Sequence, residues 1–342
     1  MPSALYTGEP TFTVVDDETR RPGPGEVRIE VAYTGICGTD LHIRHGAMDR
    51  RVRLPAVIGH EMAGRLVEIG ADVPGWAVGD PVTVVPLLWC GECPACRAGN
   101  QHICHNLVFV GIDAPGSLQS SWTVPARLLA RLPADLPLHR AALVEPTAVA
   151  VHDVRRAAVA PGEHVVVVGG GPIGLLIAHV ATIDGAHVLL LEVDDRRRAM
   201  AERLGLSVVD PATVDVPALV ADWTSGAGAA VAFEVSGSAA GVRTATDVLA
   251  VRGRLVMVAI HPAPREVDLF RLFWRELSVI GARVYERADV ERAVDLIAGG
   301  RIPADDLITR IVPMERVNDA FDALERGDEV KILVDCRADR DG

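Results

Sequence analysis

The chain has 342 residues, more than one hydrophobic core usually organises, so two domains are expected. With 49% apolar and 23% charged residues it has the balance of a folded globular protein and not of a disordered one. A formal net charge of −12 argues against a partner gripped by its phosphate backbone, which demands a basic footprint, so nucleic acid is set aside.

The first eighteen residues, MPSALYTGEPTFTVVDDE, have no basic stretch followed by an apolar one; no secretory leader is read, and a cytoplasmic location is expected. After the turn Pro22-Gly23-Pro24-Gly25, Val27, Ile29, Val31 and Tyr33 alternate with Glu26, Arg28, Glu30 and Ala32, the period of a strand with one buried face. Glycine-punctuated apolar runs at 63–69 and 81–88 continue a β-rich part in which no long amphipathic helix is read.

Near residue 147 the pattern changes to alternating strands and helices. A β-branched run at 165–168, a helical stretch at 173–183 and a buried strand at 188–191 are followed by strands at 231–235, 254–259 and 277–280, the spacing of a doubly wound parallel sheet. The apolar stretch 164–192 is long enough to cross a bilayer. It contains three consecutive glycines, Pro172, His179, Asp184 and His187, however, and reads as strand, turn, helix and strand; no membrane partner is expected. Beyond Gly281 come an amphipathic helix at 289–298, with Val290, Ala293, Val294 and Ile297 on one face, a helix at 317–326 and a strand at 331–335. The β-rich part lacks a closing element that the C-terminal residues can supply. The expected organisation is therefore a domain of residues 1–146 completed by 281–342, around an inserted domain of residues 147–280.

The strand at 165–168 runs into Gly169-Gly170-Gly171-Pro172-Ile173-Gly174, which fits G-x-G-x-x-G through Gly169, Gly171 and Gly174. Chemistry demands small residues there: one for a tight turn, one so that backbone approaches a pyrophosphate, one for helix against strand. The helix that follows offers free amides and a positive dipole end to phosphates. The second strand ends at Glu192, eighteen residues beyond Gly174, where a carboxylate accepts ribose hydroxyls and repels a 2′-phosphate; NAD is favoured over NADP. Arg197 is placed to flank the adenosine, with a surface helix arginine as the competing reading, and the run Arg196 to Arg198 also offers charge to a phosphate.

Cys90, Cys93, Cys96 and Cys104 form C-x2-C-x2-C-x7-C, four thiolates on a short loop. In an unexported chain such a set reads as a tetrahedral structural zinc site, with the neighbouring His102 and His105 as bystanders. A second constellation is dispersed: Cys37 within GICGTDLH, His60-Glu61 after Gly59, and Glu145-Pro146. One thiolate, one imidazole and one carboxylate suffice for a catalytic zinc with an exchangeable position, although spacing alone does not join these residues.

GICGTDLH, GHE, the four-cysteine loop, VEP and VVGGGPIG, in this order and at these separations, resemble the zinc-dependent medium-chain dehydrogenases, across the chain from Gly8 to Cys336. The likeness is nearest to the polyol branch of sorbitol, butanediol and threonine dehydrogenases. It implies an α/β protein with an N-terminal GroES-like, partly open β-barrel catalytic domain, an inserted doubly wound Rossmann domain and an active site in the cleft between them. By motif match Cys37, His60 and Glu145 would be the catalytic zinc ligands, with Glu61 able to enter the shell; the alcohol dehydrogenases proper carry cysteine where this chain has Glu145. Thr39 would take the alcohol proton, His42 would pass it to solvent, and Asp40 would orient the ligand histidine. The implied reaction transfers hydride from a secondary alcohol, of polyol, diol, sugar or sugar-acid type, to NAD+, with two zinc ions per subunit. An L-threonine 3-dehydrogenase-like enzyme, a zinc-free reductase of the same fold and a non-catalytic nucleotide-binding relative are the competing readings. A homo-oligomer is expected from the resemblance, tetramer ahead of dimer.

Several features stay outside this scheme. Lys331 is the only lysine of the chain, which reads as the composition of a GC-rich genome. Cys336 is read as an ordinary buried thiol and His152 as a packed residue and not a catalytic one. The residues from Asp113 to Ser120 depart from the acidic and aromatic pattern usual in the family, so no one member's substrate transfers. Phe270, Phe273 and Trp274 mark either sheet packing or a subunit contact.

Overall fold

A computed structural model describes residues 1–337 and divides the chain into two compact units, one formed by Met1–Glu145 together with the chain from Glu286 onward, the other by Pro146–Tyr285. No helix of the described residues is long and apolar enough to cross a membrane.

The first unit is organised by the strand Glu26–Gly35. Its Val27, Ile29 and Val31 are fully buried while Arg28 and Glu30 lie on the other face, as the alternation predicts. It pairs antiparallel with Glu61–Ile69 and with Ser121–Pro125, and two register shifts along the first pairing let it bend. Pro81–Val84 and Leu129–Arg131 extend the sheet on one side. On the other side the C-terminal strand Ile332–Asp335 inserts antiparallel, Leu333 opposite Gly35, and Arg310–Pro313 follows parallel to it. Leu333 and Val334 are fully buried, so the tail is part of this unit's core. A smaller sheet of Phe12–Asp16, Pro2–Tyr6 and Ala56–Val57 packs beside it.

The second unit is a six-stranded parallel sheet in the order Val208–Val209, His187–Leu191, His164–Val168, Ala229–Glu234, Leu249–Met257 and Ser278–Gly281. The chain leaves His164–Val168 first to one side and later to the other, which opens a switch point at the carboxyl ends of that strand and of Ala229–Glu234. Val166, Leu189, Leu191, Ala232 and Leu255 form part of its core. The helix Pro172–Ile183 packs Leu175, Leu176, Ile177 and Val180 inward.

The second join lies at 285/286, five residues beyond the expected one. The edge strand ends at Gly281, but Ala282 still donates its N–H to Met257 O at 3.2 Å, and Tyr285 is buried. Phe270, Phe273 and Trp274 stand on the helix Leu269–Arg275, each at least 70% exposed, which removes packing against their own sheet as their role.

Candidate functional site

The helix Gly38–Arg44 starts at Cys37, and Asp40 closes its first turn by accepting the Cys37 N–H at 2.9 Å on Oδ2. The other oxygen of Asp40, fully buried, faces His60 Nδ1 at 3.7 Å. His60 and Glu61 stand where the turn at Gly59 enters the strand Glu61–Ile69, and Gly59 has φ +98°, a conformation that favours glycine. Gly111 and Gly116 crowd the Gly59 carbonyl so closely that a side chain at either would collide with it. One donor atom from each of Cys37, His60 and Glu61 falls within 4.8 Å of the others. Glu145 opens the helix Val144–Arg156, is buried and acts electrostatically on His60, but is not one of that close set. The ring of Phe109 meets His60 edge-on at 5.2 Å.

Negative charge is concentrated here out of water. Burial raises the pKa of Asp40; burial opposes charge on His60, but Asp40, Cys37 and Glu145 outweigh it and raise the imidazole well above its ordinary value. His60 Nδ1 and Asp40 Oδ1 are buried without a hydrogen-bond partner among the described residues. A thiol, an imidazole and a carboxylate converging with orphaned polar atoms and excess negative charge fit a divalent zinc, with Asp40 placed to orient His60.

One participant escaped the motif reading. Lys331, immediately before the C-terminal strand, is 3% exposed, pairs with Glu61 Oε2 and donates to the Ile36 carbonyl at 3.0 Å. Burial works against its charge, but Glu61, then Cys37 and Glu145, hold its pKa above the ordinary value. Gly35 has no side chain because a Cβ there would overlap the Glu61 carboxylate and press on Lys331. The available signal was that a chain otherwise devoid of lysine keeps one next to its closing strand.

Thr39 is half-buried and His42 exposed on the same short helix, and their side chains make no hydrogen bond to each other. Asp113 accepts two bonds from Arg51 at 2.6 and 2.8 Å and one from the Phe109 N–H at 2.7 Å, so in this chain it braces its own loop. Cys336 is fully buried beside Thr34.

The four-cysteine loop is a separate centre. All six cysteines of the chain are free thiols, and the Cys90, Cys93, Cys96 and Cys104 sulfurs lie within 4.8 Å of one another. Cys104 is 3.5 Å from Cys90 and 3.8 Å from Cys93, close to the ~3.8 Å edge of a tetrahedron with zinc–sulfur bonds of about 2.3 Å. The N–H groups of Cys93, Cys96 and Asn106 point at these sulfurs at 3.3–3.4 Å. The Cys96 amide, followed by a backbone bond from His105, draws the Cys93 thiol down to about 6, whereas burial pushes Cys96 up to about 12. Among the described residues the apolar side chains packed against the sulfurs are Trp89, Ala95 and Leu107, too little apolar surface to hold the loop alone.

In the second unit the glycine turn is shaped for a ligand. Gly169 has φ +111°, and a Cβ on Gly174 would overlap the Gly169 carbonyl, so the helix start packs directly on the strand end. A Cβ on Gly171 would meet nothing nearer than Arg197 Nη1 at 4.0 Å, which leaves the helix N-terminus at Pro172-Ile173 open to a phosphate. Glu192 is 5% exposed; Oε2 accepts the Gly170 N–H at 2.6 Å and Oε1 the Asp194 N–H at 2.9 Å. Arg197 Nη1 stands 3.9 Å from Glu192, while Arg198 pairs with Asp195 and Asp210 and donates to the Glu192 carbonyl. Arg197, unlike Arg198, thus turns toward the turn itself.

Residues 23–134 match the family described as alcohol dehydrogenase GroES-like domain, and residues 172–299 the family described as zinc-binding dehydrogenase. The chain is 49% identical over 339 residues, 99% of both chains, to a 2-dehydro-3-deoxy-L-galactonate 5-dehydrogenase of Pseudoalteromonas atlantica. It is 33% identical to a sorbitol dehydrogenase of Halalkalibacterium halodurans, covering 94% of this chain and 95% of that one. Among solved structures it superposes with a TM-score of 0.92 on a zinc-binding dehydrogenase of Sinorhizobium meliloti 1021 bound to NADP, at 32% identity over 97% of this chain and 98% of that one. The TM-score is 0.90 for the 2R,3R-butanediol dehydrogenase of Bacillus subtilis, at 31% identity over 98% and 99%.

Proposed function

The chain belongs to the zinc-dependent medium-chain dehydrogenases, oxidoreductases that use a nicotinamide cofactor on CH–OH donors, and from that premise we infer that its substrate is a sugar acid oxidised at a secondary hydroxyl. The observation that carries this reading is the 49% identity, sustained over 99% of both chains, to a dehydrogenase acting on a keto-deoxy sugar acid. The decisive experiment is a substrate panel of 2-dehydro-3-deoxy-L-galactonate, sorbitol, 2,3-butanediol and L-threonine with NAD+ and NADP+, followed by nicotinamide absorbance. Turnover favouring the sugar acid at least tenfold in kcat/KM is expected; preference for a neutral polyol or for threonine defeats the reading.

When bound, zinc supplies a Lewis acid for the substrate hydroxyl and the nicotinamide a hydride acceptor. Cys37 and His60 would hold the metal together with a carboxylate from Glu61 or Glu145. Asp40 Oδ1, 3.7 Å from His60 Nδ1, would orient the ring from its Nδ1 side. Thr39, two residues from Cys37, accepts the hydroxyl proton, and His42, exposed on the same helix, returns it to solvent. The four-cysteine loop takes a second zinc that does no chemistry. Replacing Cys37 by Ser abolishes turnover and lowers the zinc content by one ion while NADH binding persists; retained turnover with a single zinc would refute the assignment.

NAD is the preferred dinucleotide on this reading: the buried Glu192 follows the strand His187–Leu191, the position from which a carboxylate accepts ribose hydroxyls and would repel a 2′-phosphate. The protein also works as a homo-oligomer. Leu269, Phe270, Phe273 and Trp274 expose a contiguous apolar face beside Ser278–Gly281, a strand with a sheet neighbour on one side only. Light scattering on the purified protein tests it, and a monomer at micromolar concentration excludes it.

A further inference from the structure

The carboxyl end of the strand Ala229–Glu234 carries a polar cluster that neither the metal residues nor the glycine turn explains. Glu234 is fully buried. Its Oε1 accepts from the Ser236 N–H at 3.0 Å, the Ser236 hydroxyl at 2.5 Å and the Gly237 N–H at 3.1 Å, and its Oε2 meets His261 Nε2 at 2.9 Å. The opposite ring nitrogen, Nδ1, accepts from Arg265 Nε at 3.2 Å, which places the imidazole proton on Nε2, facing Glu234. Arg265 Nη2 donates to the Gly237 carbonyl at 3.4 Å. The guanidinium is therefore mounted on two uncharged acceptors, is half-exposed, and has no carboxylate paired with it among the described residues. Arg198, Arg254 and Arg51, by contrast, each pair directly with an acid. A planar fork of donors, rigidly mounted and with N–H groups to spare, is a receptor for a carboxylate.

Its place along the sheet narrows the choice of anion. The segment after Glu234 lies against the glycine turn: Val235 N–H donates to Val168 O at 2.9 Å, and a Cβ on Gly169 would come within 3.0 Å of Ser236 N. Glu192 marks the adenosine side of the switch point, so the strands ending at Glu234 and Met257 carry the nicotinamide half of the dinucleotide. A carbon that gives up hydride must come within about 3–3.5 Å of the nicotinamide ring, so the remainder of a short sugar chain lies over that same half. We propose that Arg265 binds the carboxylate of the acidic substrate, with His261 and Glu234 as the positioning residues that aim it. This rests on the sugar-acid reading above.

The test uses the zinc-loaded, full-length enzyme with 2-dehydro-3-deoxy-L-galactonate and NAD+, together with NADH affinity from fluorescence titration on the same preparations. Arg265→Met is expected to raise KM for the acid about ten- to a hundredfold, the loss of a charge-assisted hydrogen bond, with a much smaller change in kcat and NADH affinity within twofold. His261→Leu moves KM the same way with Arg265 intact, and His261→Gln, which keeps a donor and an acceptor, restores most of the loss. An unchanged KM in folded Arg265→Met and Arg265→Gln overturns the assignment. So does a parallel loss of NADH affinity, which would make Arg265 a cofactor-phosphate contact. Wild-type enzyme that turns over neutral polyols but not the acid overturns the substrate reading and this assignment with it.

Discussion

Lys331, immediately before the strand Ile332–Asp335, and Glu61, the first residue of the strand Glu61–Ile69, form a buried ion pair between segments far apart in the chain. The C-terminal return is therefore more than a closing strand: it brings the only ammonium side chain of the protein to the carboxylate next to His60. Lys331→Met leaves Glu61 charged in a site already crowded with negative groups. It should destabilise the metal-free protein by ~3–5 kcal/mol, the usual cost of removing one partner of a buried pair. The double variant with Glu61→Gln recovers most of that. Urea unfolding followed by far-ultraviolet dichroism measures both; a single variant as stable as the parent would show the pair to be dispensable.

Cys96 is one of three buried cysteines of the four-cysteine loop, with its thiol pushed up by burial. Cys96→Ser should cost one zinc per subunit by elemental analysis and make the segment 89–107 the first site of limited proteolysis, since little apolar packing replaces the metal. Full zinc content in the variant, or proteolysis beginning elsewhere, would show that the loop is held by other means.

The parts legible in the sequence were those whose chemistry is local. The glycine turn, the four cysteines and the period-2 strand at 27–33 each fit within a short window, and the structure places them on the expected elements. Dispersed features were legible only through motif order. Cys37, His60 and Glu61 are brought together by one strand pairing, Gly35 opposite Glu61, and no period in the chain announces that. The helices Asp195–Arg203, Val216–Trp223 and Ala239–Asp247 are only nine, eight and nine residues long, too short for a 3.6-residue period to stand out, and their starts are set by the caps Asp194, Asp215 and Ser238. Lys331 and Arg265 carried no local signal, since the significance of a single charge depends on what surrounds it after folding.

Glu192 has two tasks in this structure, and substitution separates them. Its oxygens fasten the Gly170 and Asp194 amides, and on the proposed preference for NAD its charge would also repel a 2′-phosphate. Glu192→Ser should lower kcat/KM with NAD+ about tenfold, through the loss of hydrogen bonds to the ribose, and raise it with NADP+, helped by Arg197 standing 3.9 Å from the vacated carboxylate. Steady-state kinetics with both dinucleotides decide the matter. A variant that loses NAD+ activity without gaining NADP+ activity would assign Glu192 to fastening the turn alone.

Two histidines of the second unit tie its stability to pH. Burial lowers the pKa of His179, whose Nε2 is buried without a hydrogen-bond partner among the described residues, and burial, followed by the neighbouring His187, lowers that of His164. Both stay neutral in the fold at pH values where the unfolded chain, with imidazoles near 6.5, has begun to take up protons. Over that window the unfolded state binds more protons, so stability is full above about pH 6.5 and falls as the pH drops toward the folded values, by at most about 1.4 kcal/mol per pH unit for His179 and by less for His164, which solvent screens. His179→Leu abolishes its share: the melting temperatures of variant and parent should diverge in the variant's favour between about pH 6.5 and 5 and run parallel above pH 7. Calorimetry across that range gives the comparison, and equal slopes on the acid side would show that His179 takes up its proton without disturbing the fold.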